Sequence, residues 1–248
     1  MAGAALPGRL TWQLTTLASR RQETPRVITL HLTSPDWHGH VPGQHVDVRL
    51  TAEDGYQAQR SYSIASAPAK GWLELTVEDI TEGEVSPYLA EFLQPGDMLE
   101  LRGPIGGYFT WTPNDGGPLL LIAGGSGVVP LMSMLRLRKE QGSTIPTTLL
   151  MSSRDGTDII YKEELQALAT DPTLRVVHTL TRGHPADWTG YTRRIDAAML
   201  AEVAGTPEPT GLAYVCGPSG LVESVSRDLV TLGYTPDRVR TERFGPTS

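Results

Sequence analysis

Leu119 to Gly124 reads LLLIAG, six positions without one polar side chain. A run of that kind fits a strand buried on both faces, the condition inside a parallel sheet covered by helices. The segments downstream of it fix the class. Helical patterning over 130–141 leads to strand TTLLMSS (147–153), helix 158–169, strand LRVVHTLT (174–181), helix 193–203, strand LAYVCG (212–217) and helix 219–233. Strands alternating with helices predict right-handed crossovers and a doubly wound α/β parallel sheet, with ligands at the carboxyl ends of its strands.

The chain upstream is patterned differently. VITLHLT (27–33), HVDVRLT (45–51), WLELTVED (72–79) and DMLELRG (97–103) alternate apolar and polar residues, separated by turns such as VPGQ and QPGD. Period two over short, evenly spaced runs predicts an antiparallel β-barrel of the Greek-key kind. One helical interruption is expected over 85–94, with Leu89, Phe92 and Leu93 on one face. TPNDGGP (112–118) is rich in turn formers and marks the boundary. The expected units are 1–112, antiparallel, and 118–248, α/β.

Composition removes several function classes. The net charge is −7 with no long basic run, which argues against a nucleic-acid partner. No apolar stretch approaches the ~20 residues of a membrane span, and the N-terminus lacks the pattern of a secretory signal, so a cytoplasmic location is expected. A single cysteine, Cys216, excludes an internal disulfide, a four-cysteine zinc site or a cysteine-ligated iron–sulfur cluster within these residues. His38 and His40, the one close histidine pair, read as part of a solvated loop, and no metal site is expected.

Chemistry is expected at the strand ends. AGGSGVVP (123–130) closes the apolar strand and opens a helix; Gly124, Gly125 and Gly127 permit positive φ and close approach of a ligand, and Pro130 suits a first helical turn. The third glycine of the G-x-G-x-x-G fingerprint is replaced by Pro130, so the turn alone is also consistent with a plain tight connection. YVCGPSG (214–220) again puts small residues where a strand meets a helix, with Cys216 at the crevice edge; from the residue alone, Cys216 reads as a small buried hydrophobe. Neither turn is a nucleophile elbow, and no Walker-type phosphate loop is present.

RSYSIAS (60–66), GEVSPYL (83–89), GGSGVVP (124–130), YVCGP (214–218) and the terminal ERFG (242–245) occur in this order. Together they resemble the ferredoxin–NADP⁺ reductase superfamily, over nearly the whole chain. The resemblance implies that the barrel binds flavin and the α/β unit binds NAD(P)H. It implies that Arg60 pairs with the flavin pyrophosphate, that Tyr62 stacks on the ring, and that Ser63 hydrogen-bonds flavin N5. Ser66, where flavin mononucleotide users tend to carry Asn, points to FAD. Gly83 and Ser86 would hold the pyrophosphate; from the residues alone, Ser86 reads as a helix N-cap. Gly125, Gly127, Gly217 and Pro218 would admit the nicotinamide nucleotide, with Cys216 beside its C4. Glu242 would tune charge or relay a proton and Phe244 would shield the ring; an ordinary final strand is the alternative for that pair. Arg154 would contact the ribose or pyrophosphate, and Thr181 with Arg182, where NADPH-using relatives place a Ser-Arg pair, favours NADPH over NADH. The implied enzyme moves hydride from the nucleotide to FAD and electrons to a separate ferredoxin, flavodoxin, oxygenase component or small molecule, and is expected to be a monomer. A free-flavin reductase and a non-catalytic flavin-binding redox sensor are the other readings.

Overall fold

The computed structural model describes residues 10–245. The outer ends of the two expected units, 1–9 and 246–248, lie outside those residues. Six strands form an antiparallel sheet: β1 (Trp12–Thr24), β2 (Val27–Thr33), β3 (His45–Thr51), β4 (Gln57–Ser63), β5 (Trp72–Glu78) and β6 (Met98–Ile105), in the order β4-β3-β6-β1-β2-β5. The two ends of that sheet approach each other at an isolated bridge between Ile64 and Leu75, which gives it a barrel-like closure. Inward residues of the alternating strands, among them Val46, Val48, Leu73, Leu75, Val77, Leu99 and Leu101, make one buried core. β1 has no clean alternation, because a register shift between Leu17 and Ser19 turns its second half over.

The second sheet is parallel, in the order β11-β10-β7-β8-β9. Its members are β7 (Leu119–Gly124), β8 (Thr147–Ser153), β9 (Leu174–Leu180), β10 (Leu212–Pro218) and β11 (Val239–Phe244), with helices α1 (Val128–Glu140), α2 (Lys162–Leu168), α3 (Ala197–Ala204) and α4 (Ser219–Thr231). The LLLIAG run is the central strand, buried throughout. Its side chains alternate between two cores. Leu119, Leu121 and Ala123 face the core shared with α1 and α2, and Leu120 and Ile122 face that of α3 and α4. The first of these also takes in Val27, Ala65, Phe109 and Trp111 from the other unit, so apolar packing runs without a break from one sheet to the other.

Three expected helices are shorter in the structure. The 85–94 segment is helical over residues 86–92, opening as an α-turn and widening into a π-helical turn at Tyr88–Phe92. The wider turn keeps Leu89 and Leu93 buried and rotates Phe92 into solvent, where it is 64% exposed. In the 158–169 segment only Lys162–Leu168 is helical. The buried Ile159, Ile160 and Tyr161 precede it, and Tyr161 takes a left-handed φ of 58° that an α-helix does not allow. Helix α3 starts only at Ala197, where Asp196 accepts the Met199 N–H at 2.8 Å as an N-cap.

Candidate functional site

On β4, Arg60 pairs with Val48 and Tyr62 with Val46, so both lie on the sheet face that borders the barrel core, where the β4 end approaches β5. Tyr62 is half-buried against that core, and burial pushes its phenol well above its usual range. Ser63 is buried, and its hydroxyl has no hydrogen-bond partner. Ser63 follows Tyr62 on the opposite face of the strand, and an orphaned buried hydroxyl there is what a ligand with an acceptor nitrogen would satisfy. Arg60 is more than half exposed. Its guanidinium lies 3.4 Å from Glu84, and the Tyr56 hydroxyl donates to the same carboxylate at 2.8 Å. Gly83 and Ser86 shape the neighbouring loop: Ser86 Oγ accepts the Ile80 N–H at 3.2 Å, and a Cβ on Gly83 would stand 2.9 Å from both the Ile80 carbonyl and Ser86 Oγ. Ser86 is therefore a loop tie rather than the N-cap that the residues alone suggest. Ser66 is buried, with its Oγ accepting the Glu74 N–H at 3.1 Å. Its carbonyl is 3.0 Å from Nε2 of His40, which is buried; the solvated-loop reading of His40 is corrected, since its ring closes the end of the RSYSIAS segment.

A cleft of about 710 Å³ opens at the carboxyl ends of β7, β8 and β10, as a doubly wound sheet requires. Gly125, Ser153, Arg154, Thr181, Pro218 and Phe244 line one side, and Arg26, Glu78 and Asp79 the other. Gly125 has φ +55° and open space where a Cβ would stand. Gly127 answers a different demand: its Cβ would lie 2.1 Å from the Cys216 carbonyl oxygen. Gly217, at φ +151°, packs against Gly124, whose backbone nitrogen and oxygen would both be 3.1 Å from a Cβ there. Ser153 Oγ is buried in the cleft wall without a partner. Arg154 and Arg182 are exposed, joined through the Arg182 N–H to the Arg154 carbonyl at 2.8 Å; Arg182 itself stands outside the cleft lining. Ser126 Oγ donates to Glu78 at 2.9 Å, and Glu78 pairs with Arg26 at 3.1 Å, so the glycine turn is tied to the barrel across the cleft.

Between cleft and barrel, Cys216 and Glu242 are register partners on β10 and β11. Cys216 is fully buried rather than at the crevice edge; burial, with the Glu242 charge second, pushes its thiol well up, so it is not a thiolate. Burial raises the Glu242 carboxyl to about 7. One of its oxygens has no partner, and the other is 3.9 Å from Nδ1 of His45 on β3. Burial lowers His45, so neutral rather than charged forms are favoured on both sides of that contact. His45 is the cross-strand partner of Ser63. Sequence reasoning misses it, along with Ser153 and Glu84. The alternation of HVDVRLT marks a strand, but the register that sets His45 opposite Ser63 is not written in it. Phe244 belongs to β11 and packs on the shared core at the cleft wall, so the terminal residues form a strand that also touches the candidate site.

Comparison with known proteins agrees with this two-part arrangement. Residues 15–110 match the oxidoreductase FAD-binding domain and residues 121–227 the oxidoreductase NAD-binding domain. Ferredoxin–NADP reductase B of Sorangium cellulosum is 37% identical over 212 residues, an alignment covering 82% of this chain and 84% of that protein. The chain belongs to the ferredoxin–NADP reductase superfamily. The two matched domains account for an FAD site on the barrel unit and a nicotinamide-nucleotide site on the α/β unit. The glycine betaine monooxygenase reductase subunit of Pseudomonas aeruginosa is 31% identical across 83% of this chain, which spans only 56% of that relative's length. The fold is that of a Neisseria gonorrhoeae ferredoxin NADP⁺ reductase solved with FAD and NADP, with TM-score 0.80, 22% identity and coverage of 94% of this chain and 98% of that one. Among the described residues of this superfamily member, no helix is long and apolar enough to cross a membrane.

Proposed function

We propose that this protein oxidises NADPH at the cleft and passes the electrons through FAD on the barrel to a separate acceptor, such as a ferredoxin, a flavodoxin or an oxygenase component. The carrying observation is the partnerless Ser63 hydroxyl beside Tyr62, on a strand whose neighbour His45 reaches Glu242 at the edge of the nucleotide unit. FAD bound there supplies a two-electron acceptor that can release electrons singly. The residues do the rest. Arg60 holds the pyrophosphate, Tyr62 forms the wall for the ring, and Ser63 donates a hydrogen bond at N5. Gly125 lets the nucleotide approach the backbone, and Glu242 holds a proton in a dry site. One cysteine leaves no iron–sulfur cluster within these residues, which agrees with an acceptor outside them.

The test is anaerobic stopped-flow mixing of the FAD-loaded protein with NADPH or NADH. Bleaching of the flavin is expected, faster with NADPH; no bleaching with either nucleotide overturns the reading. Arg182→Ala is expected to weaken NADPH about 10-fold or more while leaving NADH within about twofold, since a charge-assisted contact to the 2′-phosphate is lost. Equal effects on both would remove Arg182 from that role.

A second reading, reduction of free flavin, is favoured by Glu84, which competes with a phosphate for Arg60 and Tyr56. Arg60→Ala is expected to weaken FAD about 10- to 100-fold. Glu84→Gln is expected to tighten it by up to about fivefold, the worth of an exposed ion pair. Fluorescence titration of the flavin measures both. A colourless purified protein that reduces added flavin would favour this second reading.

A further inference from the structure

Helix α1 opens on the glycine turn of the nucleotide cleft, and three observations tie its middle to the flavin segment. Ser133, fully buried, donates from Oγ to the Ser66 carbonyl at 2.6 Å. Arg136 donates from one terminal nitrogen to the Ala65 carbonyl at 2.9 Å and to Glu74 at 2.8 Å. Its other nitrogens clamp Glu164 of α2 at 2.9 and 2.6 Å. Residues three apart share a helix face, so one face of α1 grips two successive carbonyls of RSYSIAS. Ala65 and Ser66 lie just downstream of Tyr62 and Ser63. Ser133 comes less than two helical turns after Gly127, about 9 Å of rise.

The segment they hold is fixed from the other side too. The Ala65 N–H bonds to the Glu74 carbonyl at 2.8 Å, and the Glu74 N–H bonds to Ser66 Oγ. Arg136, Glu74, Ala65 and Ser66 thus close a ring of hydrogen bonds between helix α1 and the barrel. The Arg136 guanidinium also lies 5.1 Å over the ring of Tyr161, whose hydroxyl crosses to Thr76 of the barrel. A largely buried arginine between two carboxylates is a weak source of stability compared with apolar packing, and apolar packing already spans this interface. What the polar ring adds is direction: its bonds are satisfied in one relative placement of the sheets.

We propose that Ser133 and Arg136 are positioning residues that set the approach of the nicotinamide to the flavin by holding the Ala65 and Ser66 carbonyls to the nucleotide helix. The inference rests on the hydride-transfer reading above. Misplacement by a fraction of an ångström at the reacting atoms lowers the rate without lowering affinity, because the binding contacts lie elsewhere on both cofactors.

The test uses the FAD-loaded protein with Arg136→Met, Arg136→Lys and Ser133→Ala. FAD content and the Kd for NADP⁺ are expected to stay within about twofold of the unmodified protein. The limiting rate of flavin reduction at saturating NADPH is expected to fall at least about tenfold in Arg136→Met and about threefold in Ser133→Ala, with partial recovery in Arg136→Lys. A readout free of turnover accompanies it: the visible difference spectrum of the flavin on adding NADP⁺ is expected to diminish in the same order. A lowered Tm with unchanged limiting rate and spectrum would mean a structural role only, and a raised Kd with unchanged limiting rate would mean a binding role; either overturns the proposal. If Arg136→Met does not fold, Ser133→Ala decides alone. Absence of reduction in the unmodified protein would sink the hydride-transfer reading itself, while the difference spectrum would still decide whether these residues set ring apposition.

Discussion

Gly127→Ala is expected to destabilise the nucleotide unit by more than about 3 kcal/mol, the range of severe overpacking, whereas Gly125→Ala two residues earlier is expected to cost about 1–2 kcal/mol. The contrast comes from space and backbone, not from residue type. At Gly127 φ is −59°, which alanine adopts freely, but the new Cβ would meet the Cys216 carbonyl oxygen at 2.1 Å, its carbon at 2.5 Å and the Gly217 nitrogen at 2.8 Å. All three atoms are backbone, so no rotamer change relieves the overlap. Either the glycine turn or the end of β10 must move, and the end of β10 is pinned between β7 and β11. At Gly125 the Cβ meets nothing within 4 Å, and the cost is the left-handed φ of +55° alone. Thermal denaturation is expected to show a fall of at least about 6–12 °C for Gly127→Ala in a chain of this size. NADP⁺ binding should be lost with it, because β10 and the glycine turn carry the wall of the cleft that faces the barrel. Equal losses of Tm in the two variants would show that the interlock of turn and strand is not what the glycine serves.

That glycine also shows where sequence reading stops. The GGSG turn is legible as a turn between a buried strand and a helix, because the apolar run before it and the helical pattern after it leave no other reading. Why position 127 must be glycine is not legible, since the atom that forbids a side chain belongs to Cys216 on another strand. The same limit hides His45, whose meaning depends on lying opposite Ser63 and 3.9 Å from Glu242, three strands brought together by two sheets. β7 and β10 are legible to within a residue or two because each is a dense apolar run, and β8 because Leu149, Leu150 and Met151 sit between polar ends. β1 is not legible as a strand, because its register shift breaks the alternation that identifies a half-buried strand. Tyr161 defeats the helix expected over 158–169 for a tertiary reason: its hydroxyl reaches Thr76 in the other unit, and helical φ gives way to 58° to allow it.

Raising the pH from about 5 to 8 is expected to destabilise the protein through Glu242 by about 3 kcal/mol, and Glu242→Gln is expected to abolish that component. The carboxyl ordinarily titrates at 4.5 and is raised by burial to about 7 in the folded chain. Below pH 4.5 it is protonated in folded and unfolded chains alike and contributes nothing. Between the two values the unfolded chain has released the proton and the folded chain retains it, so the unfolded state gains about 1.4 kcal/mol for each pH unit. Above about 7 both are ionised, and the folded state carries a buried carboxylate at a constant penalty. His45 does not rescue it, because burial lowers that imidazole, which is mostly neutral where Glu242 ionises. Comparing the change in Tm across that pH interval in the two proteins isolates the effect from other titrating groups. The unmodified protein is expected to lose about 6–10 °C more than Glu242→Gln over it. The same proton should be visible in function, as an inflection near pH 7 in the rate of flavin reduction that disappears in the variant. Identical pH profiles of stability and rate in the two proteins would mean that Glu242 ionises at its ordinary pH, and the site between β3 and β11 would then be wet.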